Sequence, residues 1–325
     1  MRVFITGATG FLGGALARAL AREGAEVHAL ARPSADRHVL EGETVTWHEG
    51  DVTAPTSLND AMAGAAWIIH AAGRLGQAGV PDEVYHRLHV DGTRNVMAAA
   101  LATGSQPRVL HVSSPGVLGP NTGGPATEDA PYAPNNPYER SKAAGEQVAL
   151  EFASRGLAVV ICRPGFVYGP GDRHVLGLFQ AVRHGRFFFI DGGRHFCHPT
   201  FIADVVVGMV LCLRCGRSGA TYHLAGPRPV TFRELGESIA AALGVRPPRM
   251  SLPRRSAMLG ALGLEALGRV SGWKPPLSRT RVAFFSEDRQ YSWLRAHEEL
   301  GYTPEYDLAT GVARTIAWYR QQGWL

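Results

Sequence analysis

Residues 2–20 of the chain, RVFITGATGFLGGALARAL, form an apolar run, a glycine-rich turn and an alanine-rich stretch with helical periodicity. This order predicts a β-strand that passes through a tight turn into a helix. Without side chains, Gly7, Gly10 and Gly13 leave room for an anion to approach backbone N–H groups at the helix N-terminus, where the helix dipole also favours negative charge. The stretch therefore predicts a site for the pyrophosphate of a dinucleotide.

The glycine spacing G-x-x-G-x-x-G in Thr6-Gly-Ala-Thr-Gly-Phe-Leu-Gly13 resembles the cofactor turn of the extended short-chain dehydrogenase/reductase family, which includes NAD-dependent epimerases and dehydratases. The resemblance covers nearly the whole chain and implies a Rossmann-type fold. Within the turn it implies that the cofactor contacts Gly7, Thr9, Gly10, Phe11, Leu12 and Gly13.

The composition argues against several other classes of protein. A chain of 325 residues can bury a large core without disulfides, and its four irregularly spaced cysteines are typical of reduced thiols in a cytoplasmic protein. Cys212 and Cys215 have C-x-x-C spacing, but no second pair completes a zinc site. No stretch is apolar for long enough to span a bilayer, and the N-terminus shows no secretory signal. The net charge of +5 is dispersed, which argues against nucleic-acid binding.

Strand-like and helix-like segments alternate through the first half of the chain. The alternation predicts an α/β fold with a Rossmann-type doubly wound parallel sheet in residues 1–165 and a smaller substrate-binding lobe in residues 166–325, with segments of the two units free to interleave. Ligands of such sheets bind beyond the carboxyl ends of the strands, so functional side chains are expected there. Six strands are predicted. The first starts at Arg2, and the other five are Glu26–Arg32, Val45–Val52, Trp67–Gly73, Arg108–Val112 and Leu157–Arg163.

The second predicted strand ends in arginine, and no carboxylate stands at Ala31 or Arg32. NAD-selective folds usually place a carboxylate near this point to bind the ribose 2′-hydroxyl, whereas an arginine accommodates a 2′-phosphate. A charge-assisted contact to phosphate contributes roughly 1.5–3 kcal/mol. The sequence therefore predicts NADP(H) as the cofactor, with NAD(H) as the alternative.

The family resemblance implies further cofactor contacts at the ends of other strands. It assigns them to Asp51, Val52, Ala71, Ala72, Gly73, Pro164, Gly165 and Val167. The family usually has asparagine at the position of His89. Because of this difference, the family pattern does not predict the hydrogen bonds around His89.

The candidate catalytic residues are Ser114, Tyr138 and Lys142. Tyr138 and Lys142 are four residues apart on a predicted helix, so they lie on the same face. Lys142 is one of only two lysines among 33 basic residues, which indicates that this position needs a compact ammonium rather than charge alone. The family pattern selects Ser114 over the neighbouring Ser113 as the hydroxyl that holds the substrate oxygen.

The chemistry expected of these residues is proton transfer coupled to hydride transfer. A free phenol has a pKa of about 10, and an ammonium about 4 Å away at an effective dielectric near ~20 could lower it by roughly three units. Lys142 is therefore expected to bring Tyr138 into the neutral range and, with Tyr138, to contact the cofactor. Tyr138 would be the general acid in ketone reduction and the general base in alcohol oxidation.

The second lobe carries the signals about the substrate. Where sugar-nucleotide enzymes of the family usually have arginine and aspartate, this chain has Cys197 and His198, which removes a partner for a nucleotide diphosphate. The nearby run Phe187-Phe-Phe suggests an apolar site, although a buried strand explains it equally well. The candidate substrate residues are Ser113, Tyr168, His195, Cys197 and His198. No metal is predicted, because no carboxylate or distant histidine is seen to complete the set of His195, Cys197 and His198.

Residues 254–270 are mostly apolar, with arginines near both ends. The segment is too short and too interrupted to span a bilayer, and it could pack normally, cover the substrate channel or touch a membrane surface. The stretch from Leu300 to the predicted helix Leu308–Trp318 resembles the C-terminus of the 3β-hydroxysteroid dehydrogenase-like branch. That branch acts on carbonyls of apolar substrates.

The resulting prediction is an NADP-dependent oxidoreductase that moves hydride between NADP(H) and a ketone or secondary alcohol of a steroid-like or keto-acyl substrate. The alternatives are a nucleotide-sugar epimerase or dehydratase and, in another class, a non-catalytic cofactor-sensing protein. The family implies a homodimer formed through the helices near residues 82–102 and 138–154, and the sequence leaves a monomer open.

Overall fold

The computed structural model describes residues 1–77, 79–271 and 277–325, and for residues 269–271 only the backbone is considered. Lys274, the second lysine of the chain, lies outside these residues. Among the helices of the described ranges, none combines the length and hydrophobicity needed to cross a membrane.

The described residues contain strands β1 (Arg2–Thr6), β2 (Glu26–Ala31), β3 (Val45–Glu49), β4 (Trp67–His70), β5 (Arg108–Val112), β6 (Ala158–Pro164), β7 (Phe166–Tyr168), β8 (Phe189–Ile190), β9 (Phe196–Cys197), β10 (Pro199–Phe201), β11 (Thr221–Leu224), β12 (Val230–Thr231) and β13 (Ser251–Leu252). Seven of them form one parallel sheet in the order β11-β6-β5-β4-β1-β2-β3. The predicted α/β fold with a doubly wound parallel sheet is confirmed.

The helices are α1 (Phe11–Arg22), α2 (Asn59–Met62), α3 (Asp82–His86), α4 (Gly92–Ala102), α5 (Pro137–Ser154), α6 (Leu176–Arg183), α7 (Ile202–Cys215), α8 (Phe232–Leu243), α9 (Arg254–Ser271), α10 (Arg279–Phe285), α11 (Leu294–Leu300) and α12 (Leu308–Gln321). Helices α1, α7 and α11 cover one face of the sheet, and α2, α4 and α5 cover the other. Both faces are therefore shielded, which is why the sheet strands are almost continuously apolar.

The seventh strand of the sheet comes from the C-terminal half of the chain. β11 pairs with β6, with Tyr222 opposite Cys162, and α7 packs on the same sheet. The sheet therefore uses chain on both sides of the boundary expected at residue 165. The rest of this half forms short strand pairs, β7 with β10, β9 with β12 and β8 with β13, around an apolar cluster that includes α6, α8 and α12.

The helix predicted between Asp82 and Ala102 is present, but it contains a π-helical turn at Arg87–Asp91 between α3 and α4. Such turns insert one extra residue and redirect the side chains around them. His89 lies in the middle of this turn and is buried.

A buried ion pair joins α5 to the sheet. Arg163 at the end of β6 and Glu146 on α5 are 2% and 0% exposed, and two guanidinium nitrogens contact the two carboxylate oxygens at 3.0 and 2.7 Å. The Tyr132 hydroxyl donates to the same carboxylate at 2.7 Å, and the Arg163 guanidinium also donates to His223 on β11 at 3.4 Å. This pair connects one helix, two strands and a loop.

Replacing one member of this pair should be costly. Glu146→Gln leaves the Arg163 charge uncompensated inside the protein, so we expect a loss of about 3–5 kcal/mol in the free energy of unfolding. Glu23→Gln breaks an exposed pair with Arg214 and should cost less than about 1 kcal/mol. Urea unfolding of both variants measures the difference, and equal losses would contradict the role of the buried pair.

Candidate active site

The glycine-rich turn between β1 and α1 is shaped by close backbone contacts. Gly7 has φ +77°, and a Cβ there would lie 2.6 Å from backbone atoms of Ala71 and Ala72 after β4. A Cβ on Gly13 would lie 2.3 Å from the Gly7 carbonyl oxygen. These two glycines are thus required by the protein's own packing. At Gly10, by contrast, a Cβ would meet only the Gly7 oxygen, at 3.2 Å, so the space beside it is open to a ligand.

The N-terminus of α1 fits an anionic group. Gly10 caps the helix in an extended conformation with no side-chain hydrogen bond, and the first helical bond runs from Gly14 N–H to the Gly10 oxygen. The N–H groups of residues 11–13 have no earlier helical carbonyl to bond, and the first turn carries no acidic residue. Together with the room at Gly10, this donor set suits the pyrophosphate of a dinucleotide.

The predicted adenosine contacts lie at the ends of β2 and β3. Arg32 directly follows β2 and is exposed. The Asp51 carboxylate accepts hydrogen bonds from the Thr53 N–H and hydroxyl, both at 2.8 Å, and the Asn95 amide donates to the Val52 oxygen at 2.9 Å. Asn95 on α4 therefore holds the Asp51-Val52 segment in place.

The predicted nicotinamide contacts follow β4 and β6. Ala72 N–H donates to the Thr6 hydroxyl at 3.3 Å, and Gly165 N–H donates to the Leu224 oxygen on β11 at 2.9 Å. A Cβ on Gly165 would lie 2.8 Å from the Thr200 hydroxyl, so this position also serves close packing. Pro164 ends β6, and Val167 lies in β7, where it pairs with Thr200 of β10. These residues share the carboxyl edge of the sheet with the glycine turn.

Ser114, Tyr138 and Lys142 come together at the carboxyl end of β5. Ser114 caps a 3₁₀ turn, its hydroxyl accepting from Gly116 N–H at 3.2 Å, and it also hydrogen-bonds the Tyr138 side chain. Asn136 caps α5 by accepting from Glu139 N–H at 3.0 Å, which places Tyr138 in the first turn. The Lys142 ammonium is buried and donates to the Val112 oxygen at 2.7 Å.

The pKa of Tyr138 differs from the value expected from the sequence. Burial raises the pKa of Tyr138 to about 12, although its hydrogen bond with Ser114 acts in the opposite direction. Burial also lowers the pKa of Lys142 to about 8, against the attraction of Glu146. The expected lowering of the Tyr138 pKa by Lys142 is therefore wrong, because burial is the largest effect on this phenol and raises its pKa. Tyr138 is a protonated phenol at neutral pH.

His89 contacts both the ring and, through Ser141, the backbone of Tyr138. Its Nε2 accepts from Arg74 N–H at 3.0 Å, so Nδ1 carries the proton and donates to the Ser141 hydroxyl at 2.8 Å. Ser141 in turn donates to the Tyr138 carbonyl oxygen at 2.7 Å. The His89 ring also packs edge-to-face on the Tyr138 ring, with centroids 5.7 Å apart. The departure from asparagine thus builds a bridge from the loop after β4 to the catalytic helix.

A second buried histidine links the glycine turn to α4. His70 Nδ1 accepts from the Thr6 hydroxyl at 2.8 Å, and its Nε2 donates to Thr93 at 3.0 Å, because the Thr93 hydroxyl itself donates to the His89 oxygen at 2.6 Å. Burial lowers the pKa of His70 to about 3 and that of His89 to about 2. Both rings are therefore neutral and serve as fixed hydrogen-bonding groups.

The candidate substrate residues do not form one group. Tyr168 and Cys197 are buried in the apolar cluster of the C-terminal half, and the Tyr168 hydroxyl points at Gly311 on α12. His198 is buried, accepts from Tyr291 N–H at 3.2 Å and donates to the Gly226 oxygen at 2.9 Å. His195 contacts Asp288 at 3.4 Å and is partly exposed. Only Ser113 lies beside the catalytic residues, with a buried hydroxyl that has no partner among the described residues.

Aromatic side chains that the sequence did not single out lie next to Gly165, which directly follows β6. Phe166 directly follows Gly165, and its ring packs edge-to-face on Phe284 of α10 at 5.4 Å. Phe284 in turn contacts Phe232 and Phe285 at 5.5 and 5.3 Å. On the other side, Gly76 approaches Tyr138 so closely that a Cβ would lie 3.3 Å from the tyrosine Cβ. The described part of the chain contains no group of three His, Cys, Asp or Glu side chains arranged for a metal ion.

Comparison with known proteins agrees with this geometry. The model of the NAD dependent epimerase/dehydratase family matches residues 3–225. A 4-hydroxy-2-methyl-3-oxo-4-farnesyl-3,4-dihydroquinoline-1-oxide ketoreductase of Stigmatella aurantiaca is 31% identical, over 93% of this chain and 92% of the relative. A 2-alkyl-3-oxoalkanoate reductase of Stenotrophomonas maltophilia is 30% identical over 98% and 99%. The crystal structure of the dTDP-glucose 4,6-dehydratase DesIV of Streptomyces venezuelae, with NAD and TYD bound, has a TM-score of 0.82 and 27% identity over 100% and 98%.

The chain belongs to the NAD-dependent epimerase/dehydratase family, within the extended short-chain dehydrogenases/reductases, as the glycine turn predicted. It is an enzyme of an NAD(P)-dependent oxidoreductase family whose relatives include ketone reductases and sugar-nucleotide dehydratases.

His89→Ala should lower kcat about tenfold or more while leaving cofactor affinity nearly unchanged, since it removes the bridge that positions Tyr138. Because the ring is neutral, its pKa being about 2, the rate loss should be equal across the pH range. His89→Asn, the family residue, should recover part of kcat. Steady-state rates against pH test this, and a loss confined to the acid or alkaline limb would contradict a positioning role.

Lys142→Met should abolish turnover and yet stabilise the protein. The Lys142 pKa falls from 10.5 to about 8 on folding, so the charged form costs about 3 kcal/mol of stability below pH 8. That cost disappears as pH rises from about 8 to about 10.5, where the folded and then the unfolded lysine lose the proton. Unfolding free energies across this range should converge with those of Lys142→Met. Arg140→Met, which removes an exposed cation of the same helix, is the control, and an equal effect there would contradict the account.

Proposed function

We propose that the protein is an NADP(H)-dependent oxidoreductase that interconverts a ketone and a secondary alcohol on an apolar substrate, steroid-like or keto-acyl. The observation that carries the substrate class is the burial of Cys197 and His198. At these positions sugar-nucleotide members of the family usually have the arginine and aspartate noted above. Here a thiol that is 2% exposed and a histidine with both ring nitrogens bonded to backbone leave no cation for a diphosphate.

The bound cofactor would supply or accept hydride at C4 of its nicotinamide ring. In the reduction direction Tyr138 would donate its phenolic proton to the carbonyl oxygen, which the Ser114 hydroxyl would hold by a hydrogen bond. A pKa of about 12 keeps this phenol protonated at neutral pH, which is the form that donates a proton in ketone reduction. Lys142 would bind the nicotinamide ribose once released from the Val112 oxygen, and the positive charge would then stabilise the tyrosinate that forms.

The aromatic side chains around α10 support an apolar substrate. Phe284 contacts both Phe166 and Phe285 beside the loop after β6, and all three rings are only partly buried. Two relatives point the same way, since their names specify a farnesyl-bearing ketone and a 2-alkyl-3-oxoalkanoate. A panel of steroid ketones, long-chain 3-keto acids and sugar nucleotides, followed by nicotinamide absorbance, tests the class. Net NADPH oxidation with the first two supports it, and turnover of sugar nucleotides alone contradicts it.

Tyr138→Phe should remove the transferred proton and leave the fold and the cofactor site unchanged. We expect kcat to fall by roughly 10²–10⁴, with NADPH affinity within about twofold of the wild type. Tyr306→Phe, at a hydroxyl that contacts only Arg314 in the described structure, is the matched control. Retained turnover in Tyr138→Phe would show that another group supplies the proton.

We further propose that Arg32 selects NADP(H) through the 2′-phosphate. Arg32 is exposed at the end of β2, and the residue before it is Ala31 rather than an acidic residue. Arg32 makes no ion pair within the described residues. Arg32→Ala should raise the KM for NADPH about ten- to hundredfold and leave that for NADH nearly constant, as expected for a contact of roughly 1.5–3 kcal/mol. Arg320→Ala, an exposed arginine of α12, is the control. A wild-type preference for NADH would refute the assignment.

The competing function is a nucleotide-sugar epimerase or dehydratase, which the similarity to DesIV favours. Such an enzyme recycles its cofactor without net oxidation of NADPH. UDP- or dTDP-sugars would then raise the melting temperature, whereas our proposal expects no shift with them and a shift with apolar ketones.

We propose, finally, that the enzyme acts in the cytoplasm as a homodimer. The four cysteines are unpaired, as expected in a reducing compartment. The family's dimer interface would involve α4 and α5, whose outer faces carry the exposed Arg94–Glu151 pair. Sedimentation velocity of the wild type and of an Arg94→Glu variant tests the interface.

A further inference from the structure

Helix α9 exposes large apolar side chains and buries small ones, which is the reverse of an ordinary surface helix. Its small residues face the protein, with Ala257 and Ala261 1% and 0% exposed, while Leu259 and Leu262 are 71% and 50% exposed. An amphipathic helix stabilised by packing alone would bury the leucines. An added Cβ at Gly260 or Gly263 would meet nothing within 4 Å, so this side of the helix packs on no described part of the chain.

The exposed leucines belong to a concentrated patch. Of the ten large apolar side chains exposed in the described part of the chain, four lie between residues 250 and 267, namely Met250, Leu259, Leu262 and Leu267. Single exposed apolar residues need no explanation, but a cluster on one helix marks an interaction surface. We call Leu259, Leu262 and the outer side of α9 the α9 face.

The segment that forms the α9 face is basic, although Asp191 and Glu287 contact Arg254 at the start of the helix. Residues 246–264 contain arginines at 246, 249, 254 and 255 and no acidic residue. Arg246, Arg249 and Arg255 are exposed and form no ion pair within the described ranges. The single acid of α9, Glu265, is turned toward Arg279, with only 12% of its side chain exposed. Exposed leucines beside exposed arginines are the pattern of a helix that lies in the surface of an anionic bilayer.

The α9 face is close to the aromatic residues of the active site. The inner side of α9 packs on α10 through Ala257, Ala261 and Val282, and α10 also carries Phe284, which contacts Phe166 after β6. Helices α9 and α10 therefore lie between the exposed leucines and Phe166. An apolar substrate taken from a membrane would approach these aromatic residues from this side.

We propose that the α9 face docks on anionic phospholipid, with the helix lying in the interface. After docking, the enzyme would take up its substrate from the bilayer, and this uptake rests on the proposed function. Docking does not rest on it, so docking and uptake can be tested separately.

The docking test uses the full-length protein and vesicles of phosphatidylcholine, with or without phosphatidylglycerol. The wild type should sediment with the mixed vesicles, less so at high salt, and not with phosphatidylcholine alone. Leu259→Gln/Leu262→Gln should weaken this binding about tenfold or more, and Arg249→Gln/Arg255→Gln should remove the preference for anionic lipid. Val207→Gln and Leu294→Gln change side chains that are 53% and 55% exposed elsewhere, and they should bind like the wild type.

Absence of wild-type binding, or equal binding by the leucine variant, would overturn the proposal. The proposal would also be overturned if the wild type bound no vesicles and the leucine variant lost self-association. The α9 face would then contact a second copy of the chain. If docking holds, the leucine variant should reduce a vesicle-dissolved ketone more slowly than the wild type and a short water-soluble ketone at the same rate. Docking without turnover of any ketone would leave the docking surface in place and refute the proposed function.

Discussion

The buried Arg163–Glu146 ion pair is the constraint on which the active site depends. Tyr138, Lys142 and Glu146 recur every four residues on α5 and so share one face of the helix. Two charges that are almost fully buried can persist only if each satisfies the other, so the pair fixes both the rotation of α5 and its distance from β6. Because Glu146 is fixed, Lys142 lies at the Val112 oxygen and Tyr138 lies at the end of β5.

Close backbone contacts set the other half of the site. Gly7 and Gly13 bring the ends of β1 and β4 and the start of α1 within van der Waals distance, and Gly165 does the same for β6 and β10. His70 and His89 then connect this glycine framework to α4 and α5 through neutral, fully directed hydrogen bonds. The candidate catalytic groups are thus held by buried polar contacts, and the side chains next to Gly165 are aromatic.

The sequence was most informative where a function depends on local spacing. The glycine turn, the apolar strands and the four-residue step from Tyr138 to Lys142 are short-range patterns, and the structure shows each of them. β11 was not foreseen, because four residues that include Thr221 and His223 carry no clear strand signal and become a strand only by pairing with β6. The burial of Tyr168, Cys197 and His198, and the bridge made by His89, depend on partners from 15 to over 140 residues away, which no local pattern encodes.

The most direct test of the account follows the hydride itself. The enzyme is supplied with NADPH that carries deuterium at the transferred C4 position and with a long-chain or steroid ketone, and the product is analysed by mass spectrometry. We expect one deuterium on the carbinol carbon of the alcohol and one equivalent of NADP formed per molecule of product. Unlabelled product, or conversion of a sugar nucleotide with no net consumption of NADPH, would contradict the assignment as a reductase of apolar ketones.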